Sequence, residues 1–122
     1  MRVLIIEALK DARTLLCDYL RTRGVECVAV DSMAAGIEGL QTVRPDVVVA
    51  EWFMNRLEDA EEVTKLRAAA NELGAGIVIL STTPRPAKFP EVERYLTKPA
   101  ALDLLFDTIV GSASSPGDGE RN

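Results

Sequence analysis

The sequence has no histidine, two cysteines, one tryptophan, two tyrosines and three phenylalanines, and no long hydrophobic run. Each scarcity removes a class of function. Cys17 falls in a helical pattern and Cys27 in a strand pattern, so they read as small core fillers in a reducing compartment, and no zinc site can be assembled. The N-terminal apolar run, Val3 to Ile6, is far too short for a signal peptide or a membrane span, so a soluble, cytoplasmic protein with no membrane partner is expected. With 14 basic against 19 acidic residues, a net charge of -5 and the basic residues scattered, direct nucleic-acid binding is not expected. There is no GxGxxG and no P-loop, so nucleotide chemistry lacks its usual phosphate cradle. No internal repeat is visible, and 122 residues suffice for one domain with one core.

What is present is a regular alternation of short apolar runs and amphipathic stretches. The organising run is Asp46 to Ala50, bounded by Pro45 and rich in β-branched residues, which reads as a strand buried on both faces at the centre of a parallel sheet. Such a strand delivers the next residue, Glu51, to the carboxyl edge of the sheet, where ligands of open α/β folds bind. Arg2 to Ile6 is a second strand and ends in the same way at Glu7. Two acids therefore meet at one edge.

Between these strands the spacing is helical. From about Asp11 to Arg23, the positions Ala12, Leu15, Leu16, Tyr19 and Leu20 form one face, with Gly24 as the C-terminal cap. Glu26 to Val30 is a strand. Asp31 and Ser32 are N-cap candidates for a helix carrying Ala34, Ile37, Leu40 and Val43 on one face. Glu58 to Leu73 has acids in its first turn and Val63, Leu66, Ala70 and Leu73 at helical spacing. Ile77 to Leu80 is a buried strand ending in Ser81, Thr82 and Thr83; Arg94 to Thr97 fits a short strand, and a last helix from about Ala101 to Val110 buries Leu102, Leu105, Phe106 and Ile109. Strands alternating with helices in this way require an α/β fold, a doubly wound parallel sheet with right-handed crossovers. From Gly111 onward the chain is small and polar, so the domain is expected to span residues 1–110, with a disordered tail or linker at 111–122.

Four motifs then occur in order: the VLII strand with its acidic end, PDVVVA followed by EWFM, IVIL followed by Ser81, and YLTKP with Lys98 and Pro99. On these, residues 1 to about 110 resemble a CheY-like receiver domain of the two-component response regulators, the flavodoxin-like phosphoacceptor modules of bacterial signalling. The resemblance implies a five-stranded sheet of order 2-1-3-4-5. It also implies a phosphoacceptor aspartate ending the third strand, an acid pair after the first that holds magnesium, a Ser or Thr after the fourth, and a Lys before a proline, inviting a cis bond, after the fifth. Carried over, the phosphoacceptor position is Glu51 and the acid pair is Glu7 and Ala8, while Ser81 and Lys98 fit. Tyr95 falls on the aromatic switch position, the usual Met-Pro is Met54 and Asn55, and the usual glycine further on is Asp59. The departures fall on the chemistry and the matches mostly on the frame.

Phosphoryl transfer is positioning plus charge neutralisation. Glu51 is one methylene longer than aspartate, which moves its carboxylate by more than about 1 Å, an error that can cost on the order of 100-fold. Ala8 supplies no ligand, and magnesium demands near-ideal octahedral oxygen geometry. Neither efficient phosphorylation nor tight magnesium binding is expected, and no cofactor. Two carboxylates without a metal need another cation, so a Glu51–Lys98 ion pair is expected to hold the pocket in one state. A glutamate there also imitates a phosphoryl group weakly, with one unit of charge against roughly 1.5 to 2.

The second departure lies between Ser81 and Lys98. The segment is several residues shorter than the resembled family's, and Pro84, Pro86 and Pro90 cannot sit in a helix interior, so the fourth helix is expected to be shortened or missing. Partners of that family dock on the surface this helix shares with the fifth strand and last helix. Any partner here meets a different surface, drawn from Arg85, Lys88, Phe89, Arg94 and Tyr95. Simpler roles stand beside these: solvated strand-end acids for Glu7 and Glu51, a structural ion pair for Lys98, a satisfied loop hydroxyl for Ser81, and packing for Trp52 and Phe53. Three functions follow. The first is a non-catalytic pseudo-receiver, a phosphorylation-independent interaction module for a protein partner or fused effector domain, monomeric or weakly dimeric. The second is a receiver phosphorylated on another acid such as Asp46, Glu7 or Glu51 itself. The third is a small ligand-binding or catalytic α/β domain using the edge crevice.

Overall fold

The structure, a computed structural model, describes residues 1–52, 57–82 and 94–113, with residues 57–60 described by their backbone alone. In chain order the elements are β1 (Arg2–Ile6), α1 (Lys10–Thr22), β2 (Glu26–Val30), α2 (Met33–Val43), β3 (Val47–Glu51), α3 (Leu57–Leu73), β4 (Gly76–Ser81), β5 (Arg94–Thr97) and α4 (Leu102–Ala113). All strand pairs are parallel and the order is β2-β1-β3-β4-β5. The chain runs outward from β1 to β2 and then crosses back to β3, so strand order reverses between β1 and β3. Their carboxyl ends flank the crevice where open α/β sheets bind ligands.

Alternation along the strands divides the core into two layers. Val3, Ile5, Val47, Val49 and Val78 face Leu16, Cys17 and Leu20 of α1 and Leu105 and Ile109 of α4. Leu4, Ile6, Val48, Ala50, Ile77 and Ile79 face Met33 and Leu40 of α2 and Val63, Leu66 and Ala70 of α3. The continuous β-branched runs are thus explained by burial on both faces. Cys17 and Cys27 are free and buried in the α1–α4 layer, where burial and the adjacent Cys17 push the Cys27 thiol up.

Several expectations are corrected. Glu51 is the last residue of β3, paired with Leu80, rather than the residue after it, and Asp46 precedes the strand. On α1, Leu15 is not in the core but 58% exposed, and Cys17 takes a place in the buried stripe. On α2, capped by Ser32 accepting from the Ala35 N–H, Ala34 is exposed and the buried positions are Met33, Gly36 and Leu40. Gly36 is there because the helix lies so close to β1 that an added Cβ would collide with the Ile6 side chain.

The last helix continues three residues past the expected boundary at Val110, to Ala113. Its final turn is anchored by tertiary contacts that override the low helix propensity of Gly111. Ser112 is buried, its hydroxyl donates to the Thr108 carbonyl at 2.9 Å, and Arg94 Nη2 donates to the Gly111 carbonyl at 3.3 Å. The expected tail therefore begins no earlier than residue 114, and residues 114–122 lie outside the described ones, as does the 83–93 segment to which a shortened fourth helix was assigned.

Gly76 of β4 lies against that final turn, where an added Cβ would stand 2.7 Å from the Ser112 carbonyl oxygen. Backbone cannot yield as a side-chain tip can. Gly76→Ala is expected to cost about 1–3 kcal/mol, lowering the melting temperature by roughly 5–10 °C. Gly39→Ala, with nothing within 4 Å of the added carbon in α2, should raise it. Thermal unfolding of both variants checks the docking of α4; an unchanged Gly76→Ala melting point would contradict it.

Candidate functional site

The same alternation that sorts the core places the charged residues. Continuing Val3 and Ile5 by two gives Glu7, continuing Val47 and Val49 gives Glu51, and continuing Leu96 gives Lys98. All three emerge at the carboxyl edge on the side of α1 and α4. The Glu7 N–H donates to the Val30 carbonyl at 3.0 Å, extending the β1–β2 ladder past Ile6. The Lys98 N–H donates to the Ser81 carbonyl at 2.7 Å, extending β4–β5, and the Lys98–Pro99 bond is cis as the resemblance implies.

Three side chains converge there. Lys98 Nζ is hydrogen-bonded to Glu51 Oε2 at 3.3 Å and forms an ion pair with Glu7 Oε1 at 3.5 Å. Glu7 is 1% exposed, the Glu51 side chain 9% and that of Lys98 26%. Glu7 Oε2 accepts from the Leu9 N–H at 3.0 Å, whereas Oε1 has no hydrogen-bond donor among the described residues. Arg13 Nη1 reaches back from α1 to the carbonyls of Glu7 and Ala8, each at 2.9 Å, and ties down the turn that aims Glu7. Two carboxylates thus share one ammonium. Burial pushes the Glu51 carboxyl above the ordinary carboxylate range; Lys98 pulls it back and Glu7 pushes it further up.

This donor set does not suit magnesium. One Glu7 oxygen is held by a backbone N–H, the other faces an ammonium, Ala8 is exposed and has no donor side chain, and Glu51 is engaged by Lys98. Among the described residues no group of three or more His, Cys, Asp and Glu converges as a metal site would.

The remaining sequence candidates are scattered. Ser81 is fully buried and meets Lys98 through its carbonyl. Tyr95 is half-buried against the opposite, α2–α3 layer, together with Trp52. Arg94 is exposed but spent on the end of α4. Asp46 lies at the amino edge, its carboxylate accepting from the Arg2 N–H at 2.9 Å, a strand's length from Glu51. Arg85, Lys88 and Phe89, and also Phe53, Met54 and Asn55, lie outside the described residues, as does the side chain of Asp59. Sequence reading missed Arg13, because a guanidinium reaching six residues back around a turn has no periodic signature. It also missed a groove between α1 and α4 that opens beside Lys98.

No family model and no curated protein matches the chain. Solved structures do. The chain superposes on chemotaxis protein CheY4 of Vibrio cholerae with a TM-score of 0.74 at 21% identity, covering 89% of this chain and 95% of that one. The receiver domain of the Francisella response regulator 1452 gives 0.74 at 21% identity, over 89% and 93% of the two chains. A LuxR-family DNA-binding response regulator from Staphylococcus aureus gives 0.74 at 21% identity, over 92% and 98%. The fold is that of receiver domains, and identity at this level carries the fold alone.

Removing Lys98 strands two buried carboxylates. Lys98→Met is expected to cost on the order of 3 kcal/mol, and adding Glu51→Gln to recover a large part of it; denaturant unfolding of the single and double variants measures the coupling. No loss in Lys98→Met would mean that the ion pair does not hold the edge. For pH, a carboxyl raised in the folded state contributes stability that is present in acid and lost as pH rises through its folded pKa. The stability of the protein relative to Glu51→Gln should therefore fall as pH rises from the ordinary carboxylate range toward neutral. A difference independent of pH across that window would contradict the burial of Glu51.

Proposed function

We propose that this chain, a receiver fold whose edge acids are closed on a lysine, is a pseudo-receiver of bacterial two-component signalling. It acts as a non-catalytic, phosphorylation-independent interaction module for a protein partner or a fused effector domain. The observation that carries this reading is the position of Lys98 Nζ, 3.3 Å from Glu51 Oε2 and 3.5 Å from Glu7 Oε1.

An acceptor carboxylate must present a free oxygen in line with the phosphodonor, with cationic charge neutralising the transferred group. Here one Glu51 oxygen, Oε2, is hydrogen-bonded to Lys98, the side chain is a methylene too long, and the position that would complete an acid pair is Ala8. Attack through Oε2 requires breaking its contact with the ammonium that Glu51 shares with the buried Glu7. Nothing in this arrangement favours holding magnesium. Asp46 is a poorer acceptor still, because it sits at the opposite edge and is held by the Arg2 N–H.

With Ala8 in place of a second acid and a longer side chain at position 51, the pocket is not loaded under the conditions that would switch a working receiver. Output then depends on what the surface presents rather than on whether the pocket is loaded. The S. aureus neighbour is described as DNA-binding, which fits receivers being joined to effector domains. Among the described residues no helix is long and apolar enough to cross a membrane, which is compatible with a cytoplasmic role.

Incubation with acetyl phosphate and magnesium should leave the intact mass unchanged, and a gain of one phosphoryl group would overturn the reading. With magnesium and beryllofluoride, amide NMR should show no saturable shifts clustered at Glu7, Glu51, Ser81 and Lys98. Glu51→Asp alone should not restore them, whereas Glu51→Asp combined with Ala8→Asp should.

A further inference from the structure

Beside the ion pair, between α1 and α4, lies a groove of about 450 Å³. Its walls include Ala12, Leu15 and Leu16 of α1, Leu80 at the end of β4, and Leu102 and Leu105 of α4, while Glu7 and Lys98 close one end. A concave, apolar site of this size with a few polar groups at one end is the usual form of a small-molecule site.

Three observations specify what would fit. Among the described residues Glu7 and Glu51 share one ammonium, and the Arg13 guanidinium is spent on the backbone carbonyls of Glu7 and Ala8, so the carboxylates at the polar end outnumber the cations paired with them by one. Glu7 Oε1, on a residue 1% exposed, lacks a hydrogen-bond donor among the described residues, and an unsatisfied buried acceptor gains from one. Leu15, on the groove wall, is 58% exposed, apolar surface that an occupant would cover.

We propose that this groove binds a small amphiphilic amine, its aryl or alkyl body lying between α1 and α4 and its ammonium directed at the Glu7 carboxylate. The head group then completes a cluster of two carboxylates and two cations, with each cation beside an anion. A carboxylate head would instead bring a third negative charge to a site whose ammonium is already shared. An alcohol would donate a hydrogen bond but leave the excess charge. The inference uses the groove and the charge count, and it does not depend on whether Glu51 accepts phosphate.

Phenylpropylamine, phenylpropanol and phenylpropionate share one apolar body and differ in the head group. Titrated into the full chain without magnesium or phosphodonor and followed by amide NMR, the amine should give saturable shifts at Ala12, Leu16, Lys98 and Leu102. It should bind at least about fivefold more tightly than the other two, the size of a partly exposed charge interaction. Glu7→Gln should remove that preference. Leu15→Lys, at an exposed position that leaves the core intact, should weaken the amine by about fivefold or more. The proposal is overturned if the amine shifts do not saturate or map elsewhere, if the alcohol or carboxylate binds as tightly, or if Leu15→Lys binds unchanged. A phosphoryl adduct in the separate phosphodonor assay would refute the pseudo-receiver reading and leave this result standing.

Discussion

A single lysine ammonium facing two buried carboxylates is the constraint on which the rest of this molecule turns. The parallel sheet places Glu7 and Glu51 at the ends of adjacent strands, on the same face and at the point where strand order reverses. Both have left water to a large extent, and desolvation disfavours their charged forms. Two such groups at one edge are unstable neighbours without a cation. Lys98, carried in by the extension of β5 past Thr97, supplies one with no exchangeable ion. The backbone N–H of Leu9 and the guanidinium of Arg13 hold the turn that presents Glu7, so the arrangement is supported by the frame around it.

That arrangement separates what a fold supplies from what a site does. The five-stranded sheet, its order and its two covered faces match solved receiver domains closely, at about one residue identical in five. The frame tolerates such divergence because buried β-branched strands and helical apolar stripes ask only for shape and hydrophobicity. Chemistry asks for particular oxygens at particular distances, and at that edge the chain places Glu7, Ala8 and Glu51, with Lys98 between the two carboxylates. The same fold can therefore carry a different function.

Much of the architecture was legible because a parallel sheet writes itself as unbroken apolar runs. β1, β2 and β5 lie where composition puts them, and the convergence of Glu7, Glu51 and Lys98 follows from strand ends on one edge. What was hidden depended on close approach between elements. Leu15 has helical spacing but lies on the groove wall, a difference that no periodicity records. Gly36 carries no signal of its own in the sequence, and its missing side chain lets α2 settle on Ile6. Gly111 suggested an end to the last helix, yet Arg94 and the contact of Ser112 with Gly76 carry it on. The second carboxylate's share of Lys98 was also invisible, since the sequence suggested a pair and the fold makes a triad.

The most direct test of the account is a crystal structure of the protein grown in excess magnesium. The account predicts that Lys98 Nζ remains between the Glu7 and Glu51 carboxylates, with no divalent ion at the edge. A hydrated divalent ion seated between those carboxylates, with Lys98 displaced toward solvent, would contradict it.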